Sequence, residues 1–181
     1  MDRLKRAAVL TRLMEKLREK GSWCGETHVQ KASFFLQELM KVPLGFDFIL
    51  YKHGPFSFDL RDELTGFRAD NLIRLEPQYP YGPSILPTDL GKKIQEINSK
   101  TVGKYEDRIE FIADKLGPKH VSELERLATA LYVTQLPNAR ASVDERSQQL
   151  TKLKPQIPLA VARTAVEEVD QIIGEAQGLI H

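Results

Sequence analysis

Cys24 and His28 stand four residues apart in the stretch CGETH, and a thiol near an imidazole suggests either part of a metal site or a nucleophile with its base. Zinc needs about four ligands, usually in paired spacings such as CxxC, and no second pair occurs here. Cys24 is therefore read as a small buried thiol at a helix start. His53, His120 and His181 are scattered, and His53, just before Gly54-Pro55, is expected to hydrogen-bond the backbone of a turn. There is no glycine-rich phosphate cradle, HExxH or GxSxG, which argues against a hydrolase or a nucleotide-driven enzyme. No catalytic residue, cofactor or metal is expected.

Residues suited to recognition are more plentiful. LYKHGPFSFDL, residues 50–60, breaks an extended apolar run at Gly54-Pro55 and restarts as a helix. Glycine permits positive φ and proline fixes the φ that follows, so the chain can reverse and deliver Ser57 as a helix cap. Tyr51, Lys52 and His53 would then form a polar, basic ridge beside Arg61. Tyr79 and Tyr81 fall in QYPYGP, where an exposed hairpin tip could anchor a partner or lie along a minor groove; the alternative is packing back on the domain.

Helical spacing marks the elements that must hold these residues. Leu10, Leu13, Met14 and Leu17 repeat at i, i+3, i+4 and i+7 in a first helix ended by Gly21. Thr27 and Gln30 have the spacing of a capping box ahead of a second helix, from about Thr27 to Lys41. FDFILY reads as a strand stopped by His53-Gly54-Pro55. Ser57 caps a third helix carrying Leu60, Leu64 and Phe67 to about Ala69. LIRLEP and SILPT form a β-hairpin, and DLGKKIQEI another helix. After Gly103 the chain reads as all helix. Ile109, Ile112, Ala113 and Leu116 make one stripe; Ser122 with Glu125, and Ser142 with Glu145, make two further capping boxes. Pro158 suits the first turn of a last helix with Leu159, Ala162, Val166, Val169 and Ile173. The expected fold is mainly α with a small β-hairpin: a winged helix-turn-helix with an added strand over residues 1–98, then an all-helical extension over 104–181 that packs or dimerises.

Composition bounds the class. The chain has 181 residues, 41% of them hydrophobic, enough for a core of useful size. No apolar stretch reaches the roughly 18 to 20 residues that cross a bilayer, and charges run through the N-terminus where a signal peptide would be apolar. A cytoplasmic location without membrane contact is expected, and the single cysteine fits a reducing compartment. Net charge is +1. Residues 1–100 hold 16 Lys plus Arg against 13 Asp plus Glu, a balance of +3, and the remainder carries −2. That permits DNA contact without demanding it.

The stretch from Lys31 to Ile73, with KASFFLQEL, FDFILYKHGPFSFDLRDEL and NLI, resembles the YwgA-like and SocA-like (Panacea) antitoxin-domain proteins, in which a "K...yl" helix precedes a strand ending in "yGPfs..l". Asn71-Leu72-Ile73 through Leu86-Pro87-Thr88-Asp89-Leu90-Gly91 also resembles the wing of winged-helix regulators, a "gLI", a hairpin, then "lT..G". Together these cover about half the chain. The resemblance implies a small cytoplasmic protein linked to toxin–antitoxin or phage-associated loci, and not an enzyme.

Two functions follow as expectations. The first is an interaction protein that binds a protein partner, such as a toxin, through the third helix and the loop before it. The second is a winged-helix transcriptional regulator that binds DNA as a homodimer, with Arg61 and Arg68 in the major groove and Lys52, Arg74, Lys92 and Lys93 on phosphates. Asp59, Asp62 and Glu63 on that helix favour the first, because carboxylates near phosphates cost binding energy.

Overall fold

The structure is a computed structural model that describes residues 1–137 and 142–180, with only the backbone of Gln78; His181 lies outside the described residues. Helices dominate it. In chain order these are α1 (Arg3–Glu19), α2 (Glu26–Glu38), α3 (Phe58–Ala69), α4 (Asp89–Ile97), α5 (Ser99–Leu116), α6 (Val121–Thr134), α7 (Val143–Leu153) and α8 (Leu159–Ile180). Four strands join them: β1 (Ile49–Tyr51), β2 (Gly54–Phe56), β3 (Ile73–Gln78) and β4 (Tyr81–Pro87). The mainly α class with a small β-hairpin is as the sequence predicts. One difference concerns the added strand. Only Ile49–Tyr51 of FDFILY is strand; it pairs antiparallel with β2, Leu50 opposite Pro55, and does not join the separate hairpin β3–β4. His53-Gly54-Pro55 thus turns the strand back instead of stopping it.

Local rules place most boundaries. Ser57 Oγ accepts from the Leu60 N–H at 3.2 Å and starts α3; Asn71, at φ +57°, ends it. Thr88 Oγ1 accepts from the Gly91 N–H at 3.1 Å and starts α4. The Ser142–Glu145 capping box forms as expected. Two others do not. α2 begins one residue before Thr27, at a Gly25 cap without a side chain, because Gln30 is buried and bonded elsewhere. α6 begins at Val121, ahead of Ser122, and the carboxylate that reaches back is Glu123, to the His120 N–H at 2.9 Å. Pro158 precedes α8, and its carbonyl accepts from the Ala162 N–H at 2.9 Å.

A single apolar cluster runs from Ala7 to Ala176, so both ends of the chain contribute to one core. From α4 at Asp89 onward the described chain has only helices as regular elements, and Asn98 stands at the end of α4 and the start of α5. Charged pairs clasp α1 to α5: Arg12 to Glu106, and Lys20 to Glu110 at 2.7 Å and to Asp114 at 2.6 Å. Arg108 of α5 donates to the Met40 carbonyl at 2.9 Å and to that of Leu179 at 3.2 Å, fastening the end of α8 against the end of α2. The α8 stripe of Ala162, Val166 and Val169 is buried inside the chain, with Ile172 in place of the expected Ile173; Leu159 stays half exposed.

Candidate functional site

The hairpin β1–β2 is seated on buried amines. Lys31 of α2 reaches up with Nζ 2.8 Å from the Pro55 carbonyl, and Lys154 at the end of α7 places Nζ 2.6 Å from the Tyr51 carbonyl and 2.7 Å from that of Lys52. Lys31 is 2% exposed. Burial pushes its pKa down to about 8, against the pull of Glu125, and Lys154 adds to the depression. Lys154 is itself lowered by burial, with Glu125 opposing. Glu125 of α6 is thus the counter-charge to both, and its Oε1 lies 3.3 Å from His53 Nδ1. His53 therefore faces a carboxylate, not the backbone of its own turn as expected.

Gly54 closes the seat. Its φ is +87°, and a Cβ there would lie 2.9 Å from Thr129 Oγ1 and 3.3 Å from the Glu125 carbonyl. Glycine is required twice, by backbone conformation and by space. Below it, the Gln30 amide brackets the Ser57 backbone: Nε2 donates to the Ser57 carbonyl at 2.9 Å, and Oε1 accepts from the Ser57 N–H at 3.0 Å. The Gln30-Lys31 pair of α2 thereby holds the Gly54-Pro55-Phe56-Ser57 segment from beneath.

Above this seat the surface is aromatic. The rings of Tyr51, Phe56 and Phe58 form a closed trio with centroids 5.1 to 5.8 Å apart, and the Arg61 guanidinium lies 5.0 Å over the Phe58 ring. Tyr51 is 51% and Phe58 39% exposed. Lys52 and His53 are exposed beside them, so the expected ridge exists with an aromatic floor. The outward face of α3 carries Asp59, Arg61, Asp62 and Arg68, and Arg61 Nε sits 3.6 Å from Asp62. Glu63 turns inward to Arg6 at 2.7 Å.

The remaining predicted residues divide. Arg61, Arg68 and Tyr81 border one open cavity of about 1080 Å³ between α3, the hairpin β3–β4 and the first turns of α2 and α6. Tyr81 packs edge-on against Trp23, centroids 5.2 Å apart, whereas Tyr79 is fully exposed at the tip. Arg74 on β3 and Lys92 and Lys93 on α4 are exposed and outside that cavity. Cys24 is buried with φ +51°, and burial drives its pKa up to about 12, so it is a thiol at any physiological pH. Among the described residues no three His, Cys, Asp or Glu side chains gather as a metal site would need. Among them, too, no helix is long and apolar enough to cross a membrane.

Sequence reasoning missed Lys31, Lys154, Gln30 and Glu125. Their contacts span 24 to 103 residues of sequence, a separation no local pattern encodes. The one available signal was the lysine that opens KASFFLQEL, a charge inside an apolar helical run.

Compared with known proteins, the chain matches no family model and no curated protein. Within the chain, Lys31 of KASFFLQEL bonds the Pro55 carbonyl of GPFS, so the two stretches meet in space.

Proposed function

We propose that the chain is a non-enzymatic interaction protein, antitoxin-like or phage-associated, that binds a protein partner through α3 and the hairpin β1–β2. The observation that carries this reading is the trio of exposed Tyr51 and Phe58 with half-buried Phe56, Arg61 stacked on Phe58, held over a buried polar seat. Aromatic residues and arginine dominate the energetics of protein interfaces, and a rigid base lowers the ordering cost of binding. Paired opposite charges on α3 suit a protein surface better than a phosphate backbone. In the antitoxin reading the partner is a toxin, and the protein works in the cytoplasm.

The second reading is a winged-helix regulator binding DNA as a homodimer. It is favoured by the exposed Arg74, Lys92 and Lys93 around a hairpin that follows α3. The stripe of α8 is already used within the chain, so such a dimer would need another surface.

An Arg61→Ala/Arg68→Ala double variant separates the two. In the protein-partner reading, DNA titrations stay weak for wild type and variant alike while partner capture falls. Wild-type DNA affinity with a steep salt dependence that flattens in the double variant would reject it in favour of the second.

A further inference from the structure

The open cavity of about 1080 Å³ has one wall whose charges are sorted by sign. Arg61, Leu64, Thr65 and Arg68 fall at i, i+3, i+4 and i+7, so a single face of α3 lines it. Of the charged residues on that helix, only the two arginines border the cavity. Asp59 and Asp62 lie outside its lining, and Glu63 is turned inward to Arg6. A helix of nearly balanced charge therefore shows the cavity its cations alone. The turn before α6 adds Lys119, which Glu168 answers at 2.6 Å, and Glu26 is the one carboxylate in the described lining. Arg68 forms no ion pair among the described residues, and Arg61 has only the exposed Asp62, 3.6 Å away.

Much of the remaining lining is apolar. Leu64, Ile73 and Ile85 belong to the core, while Leu75 is 36%, Val121 42% and Tyr81 70% exposed at the cavity. Apolar surface gathered in a concavity and rimmed by charge marks an interaction site. It is continuous with the surface proposed for the partner, because Arg61 both borders the cavity and lies 5.0 Å over the Phe58 ring of the aromatic trio.

We propose that this cavity receives an acidic segment of the protein partner, whose large apolar side chains enter between Leu64, Leu75, Tyr81 and Val121 while two of its carboxylates meet Arg61 and Arg68. The two arginines are two helical turns apart, about 10 Å along α3. That spacing suits carboxylates two turns apart on a partner helix laid along α3. Two arginines over an aliphatic lining fall short of the continuous cationic track that a nucleic-acid strand needs, and Glu26 would repel its phosphates. The inference rests on the protein-partner reading and adds to it the chemistry of the partner.

Random short peptides displayed on phage are selected against the full chain, and the enriched sequences are made as free peptides. They should carry two carboxylates separated by large apolar residues, and their binding should alter the emission of Trp23, the only tryptophan, which borders the cavity. Arg68→Glu and, separately, Leu75→Ser should weaken them at least about tenfold with helical content unchanged. Tyr51→Ala/Phe58→Ala should bind them as wild type does. Enrichment of basic or uncharged peptides, enrichment of nothing, or equal affinity for wild type and Arg68→Glu overturns the proposal. Peptides lost from Tyr51→Ala/Phe58→Ala but kept by Arg68→Glu overturn it and leave the protein-partner reading standing, since the trio alone would then be the docking site. A wild-type dimer that Arg68→Glu dissociates would put a second copy in the cavity and overturn it too. A DNA duplex bound in place of any acidic peptide, and lost from Arg68→Glu, rejects the protein-partner reading itself.

Discussion

The hairpin β1–β2 turns over two lysine amines and a glycine with no room for a Cβ, whereas β3–β4 lays Ile73 and Ile85 on the core and sends its tip into solvent. Both are two-stranded and antiparallel. They differ in how position is specified. Backbone carbonyls held by Lys31 of α2 and Lys154 at the end of α7 fix β1–β2 through directional bonds, with Glu125 of α6 balancing the charge. β3–β4 is instead fixed along β4, where the Ile85 N–H meets the Cys24 carbonyl at 2.8 Å in mid-strand and Trp23 Nε1 meets the Gly82 carbonyl at 3.0 Å near the turn. A short hairpin cannot bury enough apolar area to define its own position, so polar anchors do so for β1–β2; the longer one has two isoleucines and tolerates a free tip.

That contrast predicts unequal sensitivity. Gly54→Val combines positive-φ strain with a Cβ 2.9 Å from Thr129 Oγ1, and should destabilise by on the order of 3 to 5 kcal/mol in chemical denaturation. A loss below about 1 kcal/mol would mean that the seat yields easily.

Next comes pH. Lys31 titrates near 8 in the folded chain against its ordinary 10.5, so between those values the unfolded chain still holds a proton the folded chain has released. Stability attributable to this group therefore rises with pH across that window and is lost as pH falls through about 8. The rise amounts to about 3 kcal/mol and should vanish in Lys31→Met, read as the difference between the two proteins' unfolding curves. Parallel curves for the two proteins would show Lys31 to be well solvated.

Effects at the other hairpin should be smaller. Tyr81→Ala removes the edge contact with Trp23 and should cost about 1 kcal/mol, with a shift in tryptophan emission. Tyr79→Ala, at a fully exposed site, should stay within about 0.5 kcal/mol of wild type. If Tyr79→Ala destabilises more than Tyr81→Ala, the tip is not free.

What could be read in advance follows from range. Leu10, Leu13, Met14 and Leu17, Ser57 as a cap, the hairpin after Asn71 and the positive φ of Gly54 depend on neighbours a few residues away, and periodicity or turn chemistry reveals them. Thr27 with Gln30 had the spacing of a capping box, yet Gln30 bonds Ser57, 27 residues on. Ser122 with Glu125 failed in the same way, because Glu125 is the counter-charge for two lysines from other helices. At the candidate surface, the exposed identities of Tyr51, Lys52, His53 and Arg61 were legible, while the ring contacts of half-buried Phe56 and exposed Phe58 with Tyr51 were not. Hydrophobic pattern cannot separate a core aromatic from one that a turn delivers to the surface.

The most direct test of the recognition surface is affinity capture from cells of the natural source, comparing wild type with a Tyr51→Ala/Phe58→Ala/Arg61→Ala variant of unchanged helical content and thermal midpoint. The protein-partner reading predicts one specific protein retained by wild type and lost from the variant. Retention of that protein by both, or of no specific protein by wild type over several conditions, would contradict it.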